Sequence, residues 1–233
     1  MWYDRIKIKE VSYMIQGVIF DMDGLMLDTE TLAIPAWLKA GKTYGFPITE
    51  EQVAHTFGFS VQGMQEYFMS LFGDKFPFEK ALQIRKDYVN EWIDEHGVPF
   101  KPGLLELLPF LKDNGYKIAV ATSCDLERVT RYFHQGGIMD FFDAVVTGEM
   151  VPRSKPHPDI FLKACKELGL DPSVCLGLED SPAGLESIFR AGMTAVMIPD
   201  KIPYSDQLKE FTGTVLGDLS EVITYLENES RTR

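Results

Sequence analysis

Five short apolar runs, three of them closing on residues with polar chemistry, set what this chain can fold into. Residues 16–21 read QGVIFD, 117–122 KIAVAT, 144–148 AVVTG, 174–180 VCLGLED and 194–199 TAVMIP. Runs this short, rich in β-branched residues and lacking polar alternation, read as strands covered on both faces. Helical periods separate the later ones. Leu126, Val129, Tyr132 and Phe133 follow spacings of three and four before a Gly-Gly stop, and Ile160, Phe161, Ala164, Cys165 and Leu168 share one side before Gly169. In SPAGLESIFRAG, Ser181 is the expected N-cap, Pro182 takes the first helical position and Gly192 ends the helix. Strands alternating with such helices require a parallel sheet with helices on both faces, a doubly wound α/β core.

The alternation breaks between about residues 31 and 98, where only helical periods occur. Met64, Phe68, Leu71 and Phe72 fall together on one helix, and Ala81, Ile84, Tyr88 and Trp92 on another. An all-helical block inserted after the first strand sits over that strand's C-terminal end, where ligands bind in such sheets. The expected organisation is therefore core for residues 1–31, an inserted helical cap for 32–98 and core again for 99–233. Residues 1–13 read as a loosely attached extension, because the first strand has a natural beginning at Met14.

Charge and composition narrow the function. Against 35 acidic residues stand 23 basic ones, a formal charge of −12 that argues against nucleic acid, whose phosphates need a basic face. If the substrate is anionic, positive charge must be local. No apolar run approaches the roughly 18 residues of a membrane span, and the first residues carry no apolar block with a cleavage site. A soluble, cytoplasmic protein with no membrane partner is expected, a monomer being the simplest assembly. Cys124, Cys165 and Cys175 show no Cys-x-x-Cys spacing, so neither disulfide nor zinc is indicated.

The strand ends carry the chemistry. The first offers Asp21 and Asp23, the second Thr122 and Ser123, the fourth Glu179 and Asp180, while Lys155 opens the helix after the third. Each alone has an ordinary duty: helix capping for the hydroxyls, a helix dipole for the acids, solvated surface for the lysine. Gathered at one sheet edge, the carboxylates of Asp21, Asp23, Glu179 and Asp180 cannot all stay ionised unless a cation shares them. Few ligands, all oxygen, point to Mg²⁺. An Asp carboxylate can also attack phosphorus and carry the phosphoryl group as an aspartyl-phosphate. In that scheme Asp21 is the nucleophile, and Asp23 protonates the leaving oxygen and then takes a proton from water. Thr122, Ser123 and Lys155 hold the phosphate oxygens, and Gly24 lets the loop turn sharply beside them.

DMDGLMLDTE, VATS, KPHPDIF and GLEDSPAG, in this order, resemble the four motifs of the haloacid dehalogenase-like hydrolase superfamily, from about residue 16 to 216. The likeness is to its sugar-phosphate phosphatases and β-phosphoglucomutase-like proteins with a helical cap. The resemblance implies a Rossmann-like core, Asp21 as nucleophile and Asp23 as acid/base with its main-chain carbonyl facing Mg²⁺. It likewise implies Thr122 and Lys155 as phosphate ligands and Glu179–Asp180 as metal ligands. The expected activity is Mg²⁺-dependent hydrolysis of a small phosphorylated metabolite. A phosphosugar mutase is the alternative, disfavoured because Ala33 stands where the resembled mutases carry a cap-entry histidine, and because the cap loop TFGFSVQG has Phe57 and Val61 where they carry basic residues. A non-catalytic binding module would leave Asp21 dispensable. Phe57, Phe59 and Trp37 offer either a specificity surface or cap packing.

Overall fold

A computed structural model describes residues 14–231; the extension expected at residues 1–13 lies outside the described residues. Strands β1 (Gly17–Phe20), β2 (Lys117–Thr122), β3 (Ala144–Thr147), β4 (Cys175–Glu179) and β5 (Thr194–Met197) fall within the five apolar runs. They form one parallel sheet in the order β3-β2-β1-β4-β5-β6, with β6 (Thr214–Val215) pairing to β5. Two residues are too few for a pattern, so β6 leaves no trace in the sequence.

Successive side chains of a strand point to opposite faces, and the packing follows. Val18, Phe20, Ile118, Val120, Leu176 and Leu178 join one core layer, while Ile19, Ala119, Ala121 and Cys175 join the other. Helices α5 (Leu104–Asp113), α6 (Leu126–Gln135) and α9 (Glu221–Arg231) supply residues to the first layer; α7 (Asp159–Leu168) and α8 (Pro182–Arg190) supply the second. On α6 the buried face is Val129, Tyr132 and Phe133, whereas Leu126, expected with them, is exposed in the first turn.

Between β1 and α5 lie α1 (Glu30–Tyr44), α2 (Glu50–Ala54), α3 (Val61–Phe72) and α4 (Phe78–His96). They hold a third apolar cluster around Trp37, whose ring lies tilted against Phe68 at 4.6 Å and Phe78 at 5.9 Å between centroids. On α3, Met64 and Phe68 are buried and Leu71 is exposed, contrary to the expected grouping. On α4 the buried line is Phe78, Leu82, Val89 and Ile93, together with Ala81, which is buried as expected, while Ile84, Tyr88 and Trp92 are only half-buried. That line passes through Arg85, and Val89 and Ile93 at its far end pack into the sheet's own core.

Candidate active site

The strand order reverses between β1 and β4, which places their C-terminal ends at the switch point where a crevice opens. Phe20 lies opposite Leu178, and the Asp21 N–H continues the ladder by donating to the Leu178 carbonyl at 3.0 Å. Asp21 and Glu179 are therefore neighbours by register, and Asp180 follows. One carboxylate oxygen from each of the three lies within 4.8 Å of the others, and all three residues are buried. Glycine makes this crowding feasible: Gly24 has φ +86°, and a Cβ there would meet Asp180 Oδ2 at 2.3 Å. At Gly184, in the first turn of α8, a Cβ would fall 2.0 Å from the Glu179 carboxylate.

Lys155 answers part of this charge. Its Nζ donates to Asp21 Oδ1 at 2.5 Å and to Glu179 Oε2 at 2.8 Å. It stands in the loop before α7 rather than opening that helix, whose N-cap is Pro158. Burial pushes the ammonium down, but Asp21 and Glu179 outweigh it and hold Lys155 above its ordinary pKa. One lysine does not suffice for three acids. Burial first and then Glu179 raise Asp21 to about 8 despite Lys155, and burial, Glu179 and Asp21 raise Asp180 well above its usual range. Buried oxygen donors that resist ionising together suit a hard divalent cation, so these residues fit Mg²⁺.

Asp23 is not brought into that trio. Its carboxylate accepts from Thr29 Oγ1, from Cys124 Sγ at 2.7 Å and from Arg128 Nη2 at 2.7 Å. Burial pushes Asp23 upward, yet Arg128 and the two hydrogen bonds prevail and keep its carboxyl below the ordinary value. Cys124 is thereby a hydrogen-bond donor rather than a reactive group, its thiol pushed up to about 12 chiefly by burial. Thr122 ends β2 buried and accepts from the Cys124 N–H at 3.2 Å; Ser123, next to it, is exposed. Both line the same cleft of about 160 Å³ as Asp21, Asp23 and Lys155.

The cap forms the roof. Trp37, Phe57 and Phe59 all line the cleft, although Trp37 is also fully buried in the cap's own core. The cap loop approaches the sheet edge closely enough that a Cβ on Gly58 would lie 3.4 Å from Ser181. Arg85 and Lys86 from α4 and Arg128 from α6 line it too, so the roof and wall hold more positive charge than the cap loop alone suggests. The spacing carried a signal for Arg85: it is the cation at a position where the 78-82-89-93 line calls for an apolar side chain. Arg128 gave none, because its pairing with Asp23 joins residues 105 apart in sequence.

Three relatives set this geometry among known proteins. A Thermotoga maritima phosphorylated carbohydrates phosphatase is 29% identical over 186 residues, covering 78% of this chain and 84% of that protein. Bacillus subtilis β-phosphoglucomutase is 30% identical over 188 residues, covering 78% and 82%. The crystal structure of Clostridium difficile β-phosphoglucomutase superposes with a TM-score of 0.76 at 26% identity, covering 94% of this chain and all of that one. Fold and relatives define the class, an α/β enzyme that hydrolyses phosphoric monoesters. More narrowly, residues 18–198 match the model of the haloacid dehalogenase-like hydrolases, and the chain belongs to that family.

Proposed function

We propose that this chain is a cytoplasmic, Mg²⁺-dependent phosphatase of small phosphorylated metabolites, sugar phosphates foremost, working through an aspartyl-phosphate. The observation that carries the reading is the buried trio Asp21, Glu179 and Asp180 beside Lys155 at the switch point. Residues 32–98 act as the cap that excludes water and selects the leaving group. Asp21, Glu179, Asp180 and the Asp23 main-chain carbonyl would hold Mg²⁺, which when bound supplies positive charge to the transferring phosphoryl oxygens.

The rest follows from the chain's own side chains. Asp21 attacks phosphorus in line, with Lys155 orienting its carboxylate and neutralising charge alongside Thr122 and Ser123. Asp23 serves the leaving oxygen as acid and the hydrolytic water as base. Its pairing with Arg128 favours the ionised form, suited to the base step; the acid step requires that the pair loosen.

A phosphosugar mutase is the second reading, favoured by the β-phosphoglucomutase relatives and by the arginines in the cleft. The deciding test is phosphate release from a panel of sugar phosphates, with Mg²⁺ and with chelator, for the wild type and Asp21→Asn. Metal-dependent release lost in Asp21→Asn supports the phosphatase. Absence of release together with conversion of β-glucose 1-phosphate to glucose 6-phosphate overturns it for the mutase.

A further inference from the structure

Arg85 is the unanswered charge of the cleft. It projects from the buried face of α4 and makes no hydrogen bond or ion pair to any described residue, while its Nε is shut off from water. Buried guanidinium N–H groups normally find an acceptor, so one without it marks a place for a ligand's. Burial and the facing Arg128 both press Arg85 below its ordinary pKa, with only partial relief from Asp23. Two like charges in one desolvated place are tolerable when an anion sits between them.

A second cavity of about 150 Å³ opens between α4 and α6. Its wall shares Arg85, Lys86, Asp125 and Arg128 with the catalytic cleft. Lys86 is committed to Asp125 at 3.0 Å and the neighbouring Arg131 to Asp94 at 2.6 Å. Among the described residues that leaves Arg85 free, while Arg128 is engaged by Asp23, by the Cys124 sulfur and by the Tyr132 ring, whose centroid lies 5.4 Å from its guanidinium.

We propose that Arg85 and Arg128 form a second anion subsite, which takes a phosphate or carboxylate carried on the leaving group of the phosphomonoester. The leaving group's far end then runs toward the cavity between α4 and α6. This deepens the phosphatase reading and rests on it. The subsite lies outside the cap loop of residues 56–63, where the resembled mutases carry their basic residues. An anion there also competes with Asp23 for Arg128, which loosens the acid/base for its proton transfer.

The test uses the full-length Asp21→Asn protein with Mg²⁺, titrated calorimetrically with two matched pairs. Fructose 1,6-bisphosphate against fructose 6-phosphate reads a second phosphate; 6-phosphogluconate against sorbitol 6-phosphate reads a carboxylate. In at least one pair the doubly anionic member binds about ten-fold tighter, the worth of one charge-assisted contact, and the pair that responds names the group. Adding Arg85→Gln brings that pair within two-fold, while Arg85→Lys, which keeps charge and stem, retains most of the preference. Equal affinities in both pairs overturn the subsite, as does a preference that survives Arg85→Gln. Sulfate at rising concentration must erase the preference selectively, which decides the matter even where an Arg85 variant folds poorly. Failure of wild-type turnover with the binding preference intact refutes the phosphatase reading and leaves the subsite standing.

Discussion

Replacing Lys155 by Met tests the central electrostatic argument, because the side chain stays long while its charge goes. Lys155 Nζ touches Asp21 at 2.5 Å and Glu179 at 2.8 Å, and side-chain exposures of 8%, 10% and 1% place all three groups out of water. Removing one partner of a buried ion pair and leaving the other costs about 3–5 kcal/mol. Asp21, with a pKa of about 8 even beside the lysine, can escape part of that penalty by taking a proton. The full loss therefore belongs at pH 9, and a smaller one, roughly half, at pH 6. For a chain of this length each kcal/mol moves Tm by about 2–4 °C, so the variant should melt roughly 6–20 °C below wild type at pH 9 in chelator. Added Mg²⁺ should then stabilise the variant more than the wild type, since the acids have lost a competing cation. At a concentration ten times its Kd the ion contributes about 1.4 kcal/mol. Scanning calorimetry at both pH values, with chelator and with Mg²⁺, reads every part of this. A chelator Tm within 2 °C of wild type at pH 9 would refute the mutual dependence of these charges. Equal Mg²⁺ stabilisation of both proteins would refute the shared cation site.

Three further expectations follow from neighbouring groups. Gly24→Ala must put a Cβ at φ +86° against Asp180, so phosphate release should fall about a hundred-fold through misplacement of the carboxylate; unchanged turnover refutes the close packing. Glu30 is raised to about 7 chiefly by burial, then by Asp23 and Asp200, which means that its ionisation opposes folding. The penalty is absent below its unfolded value of 4.5 and complete above about 7, so Glu30→Gln should stabilise metal-free protein at pH 8 by up to about 3 kcal/mol and scarcely at pH 4.5. Denaturant melts at the two pH values check this, and equal differences at both would sink it. Cys124, with its thiol held near 12, should alkylate at pH 8 far more slowly than an unstructured cysteine peptide, as followed by mass spectrometry; labelling at the peptide's rate contradicts the Asp23 hydrogen bond.

The strands and the acidic trio were legible because the same physics writes both into the chain. A strand of a doubly wound sheet is apolar throughout, and it stops where its C-terminal end meets the crevice, so Asp21, Thr122 and Glu179 stand where an apolar run breaks off. The helical insertion was legible as helix but not as packing. Tyr88 and Trp92 carry apolar bodies that suit a half-exposed face as well as a core, and they drew the stripe of α4 one residue away from Leu82, Val89 and Ile93. The state of Asp23 was invisible for another reason. Whether a carboxylate joins a metal cluster or an arginine depends on which partner the tertiary fold delivers, and Arg128 comes from a helix whose sequence pattern advertises only Val129, Tyr132 and Phe133.

The same distinction governs the charge. A chain with formal charge −12 carries a net charge that repels an anionic substrate at long range. Inside the cleft the balance is local: Lys155 lies between Asp21 and Glu179, Arg128 beside Asp23, and Arg85 faces Arg128 with no hydrogen bond or ion pair to a described residue. The first two cations are matched by the protein's own carboxylates. Among the described cations that line the cleft, Arg85 is the one that keeps its hydrogen-bonding capacity for an incoming group, and it stands on α4 across the cleft from the Asp21 cluster's sheet edge. If the cap selects leaving groups by charge, the selecting contact must be the cleft cation that no described residue has already satisfied.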